Sequence, residues 1–304
     1  MTPVAHSAGE PPRHVLVLVA LGLVSFWSTS VLVRFAGEVP ALALLVWRTM
    51  IAVFCLLPFL RKHHLAIYRR MSWREAGRIG MAGFLLGLHF YLFFESLRHT
   101  TVASTTVFTA LSPIFMASIG FFFLRERLPP AAILGMVVAT GGGAMIAWGD
   151  ASTGSAPNPA WGNLLAIGAS LTISIYLITG RVARQGLDWF AYMLPLYSVA
   201  ALTILIAALV LEVPLTGYSP RVYVIGAVLA IGPQVLGHGS LNLAVRYISA
   251  AMLGVLSLTE PVGASALAFV LFDERPALVS LVGMGVALVG VLLAISPSFF
   301  RKTR

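Results

Sequence analysis

Charge is scarce in this chain. Asp, Glu, Lys and Arg make up only 10% of its 304 residues, where soluble domains carry roughly 25%. That is too little to cover a water-soluble surface of this size. Cysteine is nearly absent: Cys55 is the single one and lies in an apolar run, which excludes an intrachain disulfide framework. No N-x-[ST] sequon, no Walker A loop and no His-Glu-x-x-His stretch occurs, which removes the usual signatures of ATP-driven transport and zinc hydrolysis. The glycine run "TGGGA" at 140–144 lacks the strand-turn-helix context of a nucleotide loop. It reads, with Gly83-x-x-x-Gly87, as a place where helices approach closely.

What is abundant is apolar surface. Hydrophobic residues make up 59% and mean hydropathy is +0.92, the composition of a polytopic membrane protein whose main partner is the lipid bilayer. A net charge of +9 could suggest nucleic acid, but the cations are scattered over short polar gaps rather than gathered on one face, so no nucleic-acid partner is expected. At about 20 residues per span ten candidates emerge: 14–34, 42–60, 77–97, 101–124, 131–148, 160–180, 190–211, 222–244, 249–272 and 278–297. No small-x-small cleavage pattern follows the first run, so it reads as a membrane helix rather than a signal peptide.

Alternate loops divide the cations unevenly. One side holds Arg13, Arg61, Lys62, Arg69, Arg70, Arg74, Arg78, Arg125, Arg127, Arg181, Arg184, Arg246, Arg301, Lys302 and Arg304, and the other only Arg34, Arg98, Arg221 and Arg275. By the positive-inside rule, both termini are expected in the cytoplasm.

The chain also repeats. "LRHTTVASTTVFTALSPIFMASIGFFFLRERLPPAAILGMVVATGG" from Leu97 matches "VRYISAAMLGVLSLTEPVGASALAFVLFDERPALVSLVGMGVALVG" from Val245 at a constant offset of 148, pairing Pro113 with Pro261, Glu126 with Glu274, Gly135 with Gly283 and Gly142 with Gly290. Five helices per repeat is an odd number, so the second copy must enter the membrane from the opposite side. The expected fold is all-α: ten transmembrane helices as two five-helix inverted-topology repeats, an architecture of secondary transporters. The expected layout is a tail at 1–13, a first repeat at 14–150, a second at 151–297 and a tail at 298–304.

The stretches "FWSTSVLVRF", "VWRTMIAVFCLL", "LSPIFMASIGFFFLRER" and "LTEPVGASALAFVLFDER" resemble the drug/metabolite transporter superfamily, proteins with two EamA-type domains. The resemblance covers nearly the whole chain. It implies a central cavity and the export of a small organic solute, such as an amino acid, a related metabolite or a drug, across the plasma membrane, the inner membrane of a bacterium. It also implies that Arg48 and Glu260 are ordinary family features. No cofactor, metal or catalytic residue is expected.

Polar groups at membrane depth are the candidate site. Glu260 is a candidate for proton coupling, or a carboxyl satisfied by neighbours such as Ser257 beside the helix-bending Pro261. His89 has both a coupling and a packing reading. Gln234, His238 and Asn242, spaced i, i+4 and i+8, form one stripe that either lines the cavity or bonds a neighbouring helix. Thr105 and Thr109 form a hydroxyl face, and Trp27 and Tyr176 offer aromatic surfaces. Arg48, about two turns inside its helix, is expected to snorkel or bind helix-end carbonyls, with a pair to Glu260 as the other possibility. Pro113, Pro261, Glu126 and Glu274 read as structural. An intramembrane enzyme or a sensor is the alternative function class, but no clustered ligands or soluble output domain support it.

Overall fold

Apolar runs of this length leave the backbone no partner but itself in a bilayer, and they fold as helices. A computed structural model describes residues 13–124, 129–153, 156–244 and 258–300. Helices α1 (Arg13–Phe35) and α2 (Ala41–Leu56) come first; a short 3-10 turn, Leu57–Phe59, leads to α3 (Lys62–Arg70). Then follow α4 (Trp73–His99), α5 (Val102–Thr109), α6 (Ser112–Leu124), α7 (Pro130–Thr153), α8 (Pro159–Ala183) and α9 (Trp189–Val210). Next come α10 (Pro220–Leu229), a π-helical segment (Ala230–His238), α11 (Gly239–Ala244), α12 (Thr259–Phe272) and α13 (Leu278–Phe300). Among the described residues eight helical spans are long and apolar enough to cross a membrane, one of them, Val102–Phe122, running through both α5 and α6, and two shorter apolar helices, Thr259–Phe272 and Leu278–Ala294, accompany them. No strand occurs among the described residues.

The starts follow local chemistry. Ser72 caps α4 by accepting from the Glu75 amide, while the Glu75 carboxylate accepts from the Ser72 amide at 2.8 Å; this reciprocal box starts the helix four residues before the expected 77. Asp188 caps α9 through the Ala191 amide at 2.8 Å, and Thr101 caps α5 through the Ser104 amide at 3.0 Å.

Three elements differ from the sequence expectation. The span 101–124 is not one helix: it breaks at Ala110 and Leu111, and α6 restarts with Pro113 in its first turn. Proline has no N–H to give the preceding turn, and it disfavours helical geometry just before it. In the eighth span, Pro233 lies within the π-helical stretch. The polar gap expected at 61–76 contains α3, an amphipathic helix. Expectations for Glu126, Arg127, Arg246, Ser257 and the extreme tails fall outside the described residues.

Packing relates the repeats. α7 and α13, equivalent at the offset of 148, lie against each other more extensively than any other pair. A Cβ on Gly135 would stand 2.5 Å from Gly290 O and 2.8 Å from Ala294 Cα; one on Gly142 would stand 2.6 Å from Gly283 O and 2.8 Å from Ala287 Cα; one on Gly149 would meet Ser280. Contacts rise along one helix as they fall along the other, so the pair is antiparallel. Gly135 meets the repeat partner of Gly142, and Gly142 meets the repeat partner of Gly135. The other seams follow suit: α1 packs on α12 as α8 packs on α6, and α2 packs on α9. Around α2, α4 and α9 lies the main core, which includes Leu44, Leu86, Phe94 and Leu196.

Candidate functional site

Among the described residues, the largest of the fully buried side chains is a cation. Arg48, on α2, is only 2% exposed. Its Nε donates to Gln234 Oε1 at 3.0 Å, and its guanidinium carbon lies 4.2 Å from the Phe90 ring centre and 5.2 Å from that of Phe94. Desolvated cation–π contacts of this kind contribute about 2 kcal/mol. The expected snorkel to the membrane surface does not occur, because α4 presents these two ring faces and the π-helical segment presents an amide. No hydrogen bond reaches either terminal nitrogen of Arg48 among the described residues, yet neither is sealed off.

Gln234, 0% exposed, is fixed from both ends. Its carbonyl oxygen accepts from the Tyr197 hydroxyl at 2.8 Å and its side-chain oxygen accepts from Arg48. The donor at Arg48 dictates the amide orientation, since the flipped amide would face donor to donor. The Gln234 Nε2 is left buried with no partner among the described residues, an omission worth about 1–3 kcal/mol when nothing fills it.

Glu260 is not in the middle of a continuous helix. It occupies the first turn of α12 and is half-buried, and the positive end of a helix dipole favours a carboxylate there. No hydrogen bond to that carboxylate occurs among the described residues. Its oxygens lie beyond 4 Å from the Arg48 nitrogens, so the two form no direct ion pair, but they are near enough for their charges to interact. One residue away, Thr259 accepts from Trp27 Nε1 at 3.3 Å, and the Trp27 ring lies flush on Gly263, where a Cβ would collide with the indole.

Two histidines complete the surroundings. His89 Nδ1 lies 2.9 Å from the Ala169 carbonyl oxygen, an acceptor only, so Nδ1 carries the proton and Nε2 is left as the acceptor. His238 packs edge-on to Phe26 at 4.9 Å and to Phe90 at 5.5 Å between ring centres. Phe90 thus touches both Arg48 and His238.

Of the expected site residues, the fold brings Trp27, Arg48, His89, Gln234, His238 and Glu260 into one neighbourhood. It spends others elsewhere. Thr105, 0% exposed, has its hydroxyl 2.9 Å from that of Ser96 between α4 and α5. Thr109 turns its hydroxyl back to the Thr105 carbonyl at 2.8 Å, and its own carbonyl accepts from Ser170 on α8 at 3.0 Å. Asn242 leaves the Gln234 face: it donates to the His238 carbonyl at 2.9 Å, while Tyr176 is buried in the main core. A π-helical turn takes more residues than an α-turn, so the i, i+4, i+8 stripe does not stay in line. Phe90, Phe94 and Tyr197 were missed; the signal was the need of a buried guanidinium for ring faces and fixed acceptors.

At one membrane face, Glu274 does more than end a helix. Its Oε1 accepts from the Val102 amide at 2.7 Å and its Oε2 lies 3.5 Å from Arg34 Nη2, which donates to the Thr100 carbonyl at 2.8 Å. The ends of α1, α5 and α12 are tied together there.

A second cluster lies beside α3. His63, His64 and Asp188 bring one ligand atom each within 4.8 Å of one another, with His64 Nε2 3.8 Å from Asp188 Oδ2. His64 Nδ1 accepts from the Arg61 amide at 3.1 Å. The neutral ring therefore keeps its proton on Nε2, the atom facing Asp188, which makes it a donor to the carboxylate rather than a ready metal ligand. Burial foremost, with the neighbouring His63 and Arg61, holds His64 below the usual histidine range against the opposing pull of Asp188. Burial, then Asp188, pushes the Tyr68 hydroxyl up to about 12.

Comparison with known proteins matches this architecture. Residues 14–148 and 160–296 each fit the model of the EamA-like transporter family. Among solved structures, 29 chains match. One, titled only as the crystal structure of a protein, is similar over 96% of this chain and 100% of its own, at 19% identity and a TM-score of 0.65, a likeness of fold. No curated protein matches. With its two repeats each fitted along nearly their whole length, this multi-pass membrane protein belongs to the EamA-like transporter family.

Proposed function

We propose that the protein is a secondary transporter that exports a small organic solute by alternating access, with Arg48, Gln234 and Glu260 at the substrate site and Glu260 coupling transport to protons. The observation that carries this reading is a buried, incompletely bonded charged group where the two repeats meet: Arg48 from the first half, and Gln234 and Glu260 from the second. Such groups at membrane depth mark solute and ion paths. Ten spans in a five-plus-five inverted arrangement belong to the same proposal; the antiparallel pairing of the equivalent helices α7 and α13 supports it. The cation asymmetry supports cytoplasmic termini in a bacterial inner membrane. The Arg34–Glu274–Val102 tie supports reading this state as closed on that face. No ATP is required, as the chain has no Walker A loop.

The test is counterflow into proteoliposomes of amino acids, amines, sugars and nucleosides, with and without a pH gradient, for the wild type and Glu260→Gln. The expected result is exchange in both proteins and a response to the gradient only in the wild type. Equal gradient responses would remove Glu260 from coupling, and no flux of any solute would remove the transporter reading.

A further inference from the structure

Helix α3 and the residues after it carry charge that the fold leaves unused. Six cations lie between Arg61 and Arg78 against one acid, Glu75, which is more than half of the chain's net +9. The helix has two unlike faces. Its inner face is occupied: His64 stacks on Phe190 of α9 at 4.4 Å between ring centres, and Ile67 and Tyr68, on the same side, are half-buried. Lys62, Leu65, Ala66 and Arg69, at i, i+3, i+4 and i+7, face away with Arg70; all five are exposed and line one open recess. Among the described residues no ion pair or hydrogen bond engages the side chains of Lys62, Arg69 or Arg70. The acids of this neighbourhood are committed elsewhere, Asp188 to the Ala191 amide and Glu75 to the Ser72 amide.

We propose that this face of α3 binds an anionic phospholipid, whose headgroup phosphate is held by Lys62, Arg69 and Arg70 over a floor made by Leu65 and Ala66. The proposal rests on the chain's placement in a membrane and not on transport. Tethering selects a lipid over a soluble anion. Short links join α3 to the membrane-crossing helices α2 and α4, which keeps it at the level of the membrane surface. Phe59, Leu65 and Trp73 are exposed around it, and Arg74 lies 5.4 Å from the Trp73 ring centre. Apolar and aromatic groups set among cations are the pattern of helices that lie in the interface. A soluble anion would neutralise the cations and leave the apolar groups in water, whereas a phospholipid covers both. The reach suits one phosphate: Lys62 and Arg69 are about 10 Å apart along the axis at 1.5 Å per residue, and their long side chains converge from either end on a group above Leu65 and Ala66. Arginine offers phosphate a planar fork and lysine a point charge. Each cation near an anionic surface contributes about a fivefold gain in affinity, so loss of three corresponds to about a hundredfold.

The test titrates the full-length protein in an uncharged detergent with dioleoylphosphatidylglycerol. Dioleoylphosphatidylcholine is the zwitterionic control, and inorganic phosphate and polyglutamate are the soluble anions; thermal stabilisation and native mass spectrometry read binding. Phosphatidylglycerol is expected to raise the Tm at a concentration at least tenfold below that of phosphatidylcholine, with the advantage shrinking in high salt. The advantage should vanish in Lys62→Gln/Arg69→Gln/Arg70→Gln and persist in Arg181→Gln/Arg184→Gln, which removes charge from another loop on the same expected side. The three α3 side chains are exposed, so the triple variant should fold; where it does not, Lys62→Gln and Arg69→Gln alone should each weaken phosphatidylglycerol binding about fivefold. Equal loss in the α3 and the Arg181/Arg184 variants means bulk surface charge and overturns the site. So does equal stabilisation by the two lipids, or stronger stabilisation by phosphate or polyglutamate than by phosphatidylglycerol. Binding is read without flux, so failure of counterflow removes the transporter reading and leaves this site standing.

Discussion

Replacing Gly142 by alanine adds one methyl group to the seam between α7 and α13. The new carbon would overlap the Ala287 nitrogen and lie 2.6 Å from Gly283 O and 2.8 Å from Ala287 Cα, whereas ordinary contact begins near 3.4 Å. All three neighbours are backbone, and none can rotate aside. The helices must part by at least about 0.8 Å to restore ordinary contact with Gly283 O alone, along a seam that Gly135 and Gly290 also hold close. Overpacking a tight site destabilises by about 1–3 kcal/mol, against at most about 1 kcal/mol gained because alanine is the better helix former. Gly141, one residue away, is exposed and meets nothing within 4 Å, so Gly141→Ala carries only the helix-forming gain. Survival of monodisperse protein after heating in detergent, followed by chromatography, compares the two variants directly. Gly142→Ala should lose stability and Gly141→Ala should hold or gain. Equal behaviour of the two would refute the close-packed seam.

Three further outcomes follow from the geometry. His64 is held neutral by burial and caps α3, so its contribution is fully present above the unfolded histidine value of about 6.5 and is lost as pH falls toward its lowered folded value; protection of the amides at 61–70 against exchange, relative to the unfolded-chain rate at each pH, should fall from pH 7.5 to 5.5, and His64→Asn should flatten that dependence. Glu274→Ala removes the acceptor of the Val102 amide and the partner of Arg34, a loss of about 1–3 kcal/mol; spin labels on the ends of α1 and α12 should report a broader distance distribution, and an unchanged one would count against the tie. Gly263→Ala drives a methyl into the Trp27 indole; counterflow should fall by at least an order of magnitude while expression persists, and full activity would show that Trp27 has room to move.

The sequence carried much of this fold on its face. Apolar runs marked the helices because a bilayer admits little else, and the constant offset of 148 linked Pro113 to Pro261 and Gly142 to Gly290 through chemistry that both halves need. The break before Pro113 was legible in principle from proline's effect on the residue ahead of it. Helix α3 was hidden because nine residues with a basic face read as an ordinary polar gap. The site was legible only in part. Glu260 and Gln234 stood out as polar groups in apolar runs, but the bond between Arg48 and Gln234 spans 186 positions, and no periodicity along one helix encodes a partner so distant. The π-helical stretch defeated the stripe from Gln234 to Asn242 for a related reason: a stripe presumes α-helical turns, and proline at 233 does not announce the wider one.

The α7–α13 seam has a quality that its tightness alone does not convey. Gly135 against Gly290 and Gly142 against Gly283 is one arrangement read in both directions, so the glycine contacts at the middle of the seam are unchanged when the two repeats exchange places. Under the alternating opening proposed above, a tilt of one half toward either side would strain these paired contacts alike. The seam is therefore impartial between the two. Any preference for one opening must be written elsewhere, in features only one repeat owns: the tie at Arg34, the bulged turn at Gln234, and the lone carboxylate at Glu260.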